Sequence, residues 1–62
     1  MKANIFYKDN LYTETTLEEI EVRHQDIKVG DRFDIDDKEV LITEMNYKFD
    51  GSTVDIVTKD IK

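Results

Sequence analysis

Met45-Asn46-Tyr47-Lys48-Phe49-Asp50-Gly51-Ser52-Thr53-Val54-Asp55-Ile56 is two alternating apolar/polar runs broken by an Asp-Gly pair. Met45, Tyr47 and Phe49 share one face of the first run, and Val54 and Ile56 share one face of the second. A two-residue turn at Asp50-Gly51 would set Phe49 opposite Ser52, Tyr47 opposite Val54 and Met45 opposite Ile56. Asp-Gly suits such a turn because both central residues need positive φ, which Gly reaches freely and Asp tolerates. The fold is therefore read outward from this hairpin.

Upstream, Phe33 and Ile35 alternate with Arg32 and Asp34 as far as Asp36-Asp37. A second two-residue turn there pairs Phe33 with Val40 and Ile35 with Lys38, so residues 31–60 read as one antiparallel meander. The strand from Lys38 to Phe49 carries a conflict. Val40 and Ile42 lie on one face, whereas Leu41, Met45, Tyr47 and Phe49 lie on the other. Such a strand has to coil or bulge between two layers, as strands of small barrels do. Gly30, in the connector Asp26 to Asp31, falls where the backbone turns sharply or takes positive φ.

The N-terminal half is less regular. Ala3, Ile5 and Tyr7 alternate with Asn4, Phe6 and Lys8, and the run ends at Asp9-Asn10, which suits a hairpin turn. That turn would oppose Tyr7 to Tyr12 and Ile5 to Glu14. Residues 14–25 support two readings. Thr16 followed by Glu19 fits a helix capping box, with Leu17 and Ile20 inside. Alternatively Ile20 and Val22 alternate with Glu19, Glu21 and Arg23, and the threonines 13, 15 and 16 favour extended chain. The strand reading is preferred, from Leu11 to His24 with a bulge near Thr15 to Leu17, because the helix would have only a thin apolar stripe.

The expected fold is therefore all-β, a single domain over 1–62. It is a small five-stranded antiparallel meander rolled into an open barrel or curved sheet. The expected core is Ile5, Tyr7, Ile20, Val22, Phe33, Ile35, Val40, Ile42, Met45, Tyr47, Val54 and Ile56. A chain this short hides only about 60% of the surface its unfolded form exposes, so marginal stability or dimerisation is expected. A homodimer could form by edge pairing of the strands at Lys2 to Lys8 or Thr53 to Asp60. The chain has no Cys, and its longest apolar runs, Ile5 to Tyr7 and Val40 to Ile42, are far too short for a membrane span. The sequence reads as a complete, soluble, cytoplasmic protein.

Fifteen acids against nine bases give a net charge of −6. The acids cluster at Glu14, Glu18, Glu19, Glu21 and at Asp31, Asp34, Asp36, Asp37, Glu39, while the bases are scattered from Lys2 to Lys62. Phosphate-backbone binding needs grouped positive charge, so direct nucleic-acid binding is disfavoured. Catalytic chemistry is sparse: one His (His24), one Ser (Ser52) in an ordinary turn position, and no phosphate-binding loop. An EF-hand reading from Asp34 fails, because position 5 is Lys38, position 6 Glu39 and position 12 Met45. That leaves Asp36, Asp37 and Glu39 as a weak surface cation site at most. No cofactor, metal or catalytic residue is assigned, and the chain is read as non-enzymatic. Phe6 and Tyr7 point to opposite faces of one strand, so one of them is available for contact.

The run Val29-Gly30-Asp31-Arg32-Phe33-Asp34-Ile35-Asp36-Asp37-Lys38-Glu39-Val40 resembles small proteins of bacteriophages and mobile elements in Gram-positive bacteria. In those, a Gly-Asp connector leads into a hairpin whose turn is usually Asp-Gly-Lys; here Asp37 stands where Gly is usual. The resemblance implies a small β-rich protein and carries no catalytic residue across. Many small acidic phage proteins inhibit host enzymes, among them DNA mimics and anti-CRISPR proteins, and that class overlaps this chain in size and charge. The expected function is binding of a protein partner with a basic surface, through Glu14, Glu18, Glu19, Glu21, Asp31, Asp34, Asp36, Asp37, Glu39, Phe6 and Tyr12. Two alternatives are an acidic DNA mimic that blocks a nucleic-acid-binding enzyme, and a structural piece of a larger complex.

Overall fold

A computed structural model describes residues 1–24 and 27–61; Asp26 of the expected connector and Lys62 lie outside them. The elements are β1 (Lys2–Tyr7), β2 (Asn10–Thr16), α1 (Leu17–Arg23), β3 (Arg32–Ile35), β4 (Lys38–Tyr47) and β5 (Thr53–Asp60). The strands form one sheet in the order β2-β1-β5-β4-β3, curled into a half-barrel. The β3-β4-β5 meander is antiparallel, as its alternation predicts.

The sheet is not purely antiparallel. β1 and β5 pair in parallel, with Ala3 beside Val54, Ile5 beside Ile56 and Tyr7 beside Thr58. A parallel pair needs a long crossover, and β2, α1, β3 and β4 together supply it. This pairing puts β1 and β5 inside the sheet, which removes the edges proposed for dimerisation. The edges are β2 and β3.

The second correction is α1. Thr16 takes an extended conformation and its hydroxyl accepts from the Glu19 amide at 3.1 Å, so the capping reading holds and the long strand does not. Such a cap is worth about 0.5–2 kcal/mol. Glu18 and Glu19 in the first turn and Arg23 in the last complement the helix dipole. Ile20 alone on this helix is buried, whereas Val22, expected in the core, is 82% exposed.

The face conflict in β4 resolves through a bulge. Ile42 opposes Thr58 and Glu44 opposes Val57, so the register shifts by one at Thr43, whose hydroxyl donates to the Val57 carbonyl. Val40 and Ile42 before the bulge, and Met45 after it, then face the same interior. Ala3, Ile5, Ile20, Phe33, Ile35, Val40, Ile42, Val54 and Ile56 form the buried core, with Tyr7, Ile27 and Met45 packed against it. Tyr47 keeps the expected register opposite Val54 but extends past the core and is 57% exposed. Phe49 is fully exposed.

Turn chemistry matches at Asp36-Asp37, where both residues have positive φ (46° and 66°), and at Gly30, at 95°. The other two turns differ. In the first hairpin, Lys8 and Asp9 are the positive-φ pair, so Tyr7 opposes Asn10, and a bulge between Ile5 and Phe6 sets Ile5 opposite Thr13. The Asn10 side-chain amide donates to the Lys8 carbonyl and holds this tighter turn. The 45–56 hairpin closes with a wider loop. The Lys48 amide donates to Thr53 and the Gly51 amide to Lys48, and only Gly51 has positive φ. The Asp50 carboxylate instead accepts from the Ser52 amide and hydroxyl, an Asx-type turn.

Candidate functional site

The two edge strands, β2 and β3, end the curled sheet and face each other across an unpaired seam. α1 leaves the end of β2 and lies over this seam, its Ile20 in the core. At the turn end of the two hairpins the seam is bridged by one side-chain bond, from the Tyr12 hydroxyl to the Asp36 carboxylate. Between helix and bridge lies an open cleft of about 320 Å³, with Tyr12, Glu14, Glu19, Arg23, Asp34 and Asp36 among its lining residues. It runs onto a polar shelf formed by Arg23, Asp34, Asp36, Asp37 and Glu39.

Seven of the sequence-predicted surface residues thus converge: Tyr12, Glu14, Glu19, Asp34, Asp36, Asp37 and Glu39. Four do not. Glu18 binds the N-terminal amine at 2.8 and 2.9 Å, which holds its carboxyl below the ordinary range. Asp31 caps a turn, accepting from the Lys28 amide at 3.0 Å. Glu21 is exposed on α1 and lines neither cleft nor shelf. Phe6 lies half-buried on the outer face beside Val57. Among the described residues, no group of three carboxylate or His side chains is placed to hold a metal ion.

Sequence reasoning missed the network behind the Tyr12 bridge. The Tyr7 hydroxyl donates to Asp60 at 2.6 Å and accepts from the Lys38 ammonium at 2.8 Å. Tyr7 and Tyr12 meet edge to face at 6.1 Å, and the Lys38 ammonium also lies 4.7 Å from the Tyr7 ring centre. β1, β2, β4 and β5 are therefore tied together at one end of the half-barrel, and the Tyr12 bond carries the tie to the β3–β4 turn. The residues are far apart in sequence, and only the parallel β1–β5 pair brings Tyr7 to Asp60. His24 was expected at a strand end; it caps α1 instead, with its ring edge-on to Phe33 at 5.9 Å.

The network gives the molecule two pH limbs. The Tyr7 hydroxyl holds the Asp60 carboxyl below its ordinary 3.8. Its stabilising share is therefore complete above 3.8 and is lost as pH falls through the lower folded value. The bond to Asp36 raises Tyr12 above 10.0, so that share is complete below 10.0 and is lost as pH rises through the folded value. Tyr7→Phe is expected to lower the urea midpoint at neutral pH, with the gap to the parent narrowing in acid below 3.8. A gap that stays constant down to the acid transition would contradict the assigned Tyr7–Asp60 bond.

Compared with known proteins, the chain matches no family model, no curated protein and no solved structure.

Proposed function

We propose that this chain is a non-enzymatic protein-binding module that takes a basic partner at the acidic seam between β2 and β3. One observation carries the reading. Glu19 from α1 and Asp34, Asp36, Asp37 and Glu39 from the β3–β4 hairpin collect around one cleft and shelf, where Arg23 is the one lining Lys or Arg among the described residues. Glu14 of β2 also lines the cleft, but its carboxylate pairs with Lys2 at 2.7 Å. The like charges gathered from helix and hairpin repel one another in the free protein, and a cationic partner relieves that repulsion. Such a surface steers encounter and selects partners by sign more than it adds raw affinity. The residues with chemical potential have structural occupations: the Ser52 hydroxyl donates to Asp50 within its turn, and His24 packs on Phe33. The resemblance of Val29 to Val40 to phage and mobile-element proteins fits an accessory module of this kind.

The test is capture of a partner from lysate by the tagged chain and by a variant carrying Asp34→Asn, Asp36→Asn, Asp37→Asn and Glu39→Gln. The variant moves the net charge from −6 to −2, since −6 + 4 = −2. Asn keeps the positive-φ tolerance that residues 36 and 37 require. We expect affinity to fall by about tenfold or more, chiefly through slower association. Undiminished capture by a folded variant would overturn the reading. The DNA-mimic alternative draws on the same shelf, where Asp34, Asp36, Asp37 and Glu39 line one continuous acidic surface. It requires, in addition, that duplex DNA displace the captured partner.

A further inference from the structure

We propose that the seam binds an extended, lysine- or arginine-bearing peptide segment of the partner as an added strand along the outer edge of β3. The inference rests on the reading of the chain as an acidic protein-binding module, and it names what that module recognises.

The backbone supplies the first argument. The Ile42 amide donates to the Asp31 carbonyl, so the Asp31 C=O turns toward β4, while its amide donates to the Lys28 carbonyl. Antiparallel ladders alternate, and the register of β3 on β4 is unbroken from Arg32 to Ile35. Phe33 and Ile35 therefore also bond to β4, while Arg32 and Asp34 point their N–H and C=O groups away from it. Among the described residues these outward groups have no backbone partner. An extended chain satisfies such groups by strand addition.

Space supplies the second argument. β2 and β3 are not paired, and the Tyr12 side chain with the Asp36 carboxylate is needed to bridge them at the turn end. An open cleft of about 320 Å³ lies between the two edges beside that bridge.

Charge selects the occupant. A strand lying along β3 would run past Asp34 and Asp36, with Glu19 on the far wall. A second copy of this chain carries the same net charge of −6, which opposes its approach to this edge. A peptide alternating basic and β-branched residues suits both the backbone and the walls.

The experiment titrates the full chain into labelled peptides of about six residues, the usual strand length, alternating Lys and Val. A Glu-Val peptide and a Lys-Val peptide N-methylated at alternate residues serve as comparisons. We expect the Lys-Val peptide to bind at least tenfold tighter than either. We also expect Asp34→Pro to weaken it by a similar factor, because proline removes an outward N–H while the β3–β4 ladder keeps its own bonds. Equal binding of the N-methylated peptide would overturn strand addition and leave acidic recognition standing. Failure of every peptide, alongside charge-dependent capture of a basic partner, would likewise overturn this inference alone. If charge-dependent capture is also missing, both readings fall. Because Asp34→Pro can disturb folding, the N-methylated peptide decides the matter on the unaltered protein.

Discussion

Ile56→Ala is expected to leave this domain at the edge of folding. Ile56 is wholly buried in β5, the central strand of the sheet, beside Ile5 on β1 and opposite Met45 on β4. Truncating a buried isoleucine costs about 2–5 kcal/mol, from lost burial and from the cavity left behind. At roughly 0.05–0.15 kcal/mol per residue, a chain of this length has only about 3–9 kcal/mol in total. The melting temperature should therefore fall by tens of degrees, since each kcal/mol moves it about 4–8 °C at this size. Ile56→Val is the matched control, expected to cost about 0.5–1.5 kcal/mol. Thermal melts of the three proteins read the ordering directly. Alanine and valine variants with equal melting temperatures would mean that the sheet does not close around β5 as described.

The weight on β5 follows from the parallel pairing, and that pairing is what the sequence hides. β1 shows a period-two pattern of Ala3, Ile5 and Tyr7, and β5 one of Val54, Ile56 and Thr58. Either strand direction buries those faces equally well, so alternation alone cannot distinguish parallel from antiparallel neighbours. Local features were legible because local chemistry fixes them. Asp36-Asp37 reads as a turn since Asp tolerates positive φ, and the β4 bulge is visible because Val40 and Ile42 cannot share a face with Met45 without an extra residue. The helix shows the opposite case. Its cap is plain in Thr16 and Glu19, but an apolar stripe of only Leu17 and Ile20 favours the strand reading. In the folded chain Ile20 suffices, because it joins the same buried core as Phe33 and Ile35. The acidic site was legible in composition and not in geometry. Glu19 and Asp34 line one cleft only because the sheet curls.

Ile20→Ala is expected to release α1 while much of the sheet persists. A helix of seven residues is far below the roughly 12–15 at which an isolated helix becomes even marginally stable in water. Its Thr16 cap, at about 0.5–2 kcal/mol, cannot make up that deficit. Ile20 is the one buried side chain tying it down, and its truncation removes about 2–5 kcal/mol at that point. The β1–β5 and β4–β5 ladders contain no bond to α1, so they should outlast it. Hydrogen exchange separates the two. The His24 amide, which donates to the Ile20 carbonyl at 2.9 Å, should lose protection far more than the amides of β5. Equal loss in α1 and β5 would show instead that helix and sheet open as one unit. The functional consequence follows from what α1 carries. Glu19 and Arg23 leave the cleft with the helix, while Asp34, Asp36, Asp37 and Glu39 stay on the β3–β4 hairpin. Lys-Val peptides should then still be attracted by the shelf but lose the wall that confines them, so binding weakens mainly through faster dissociation. That kinetic signature is the reverse of the slower association expected when the shelf carboxylates are neutralised, and the two variants together separate steering from confinement.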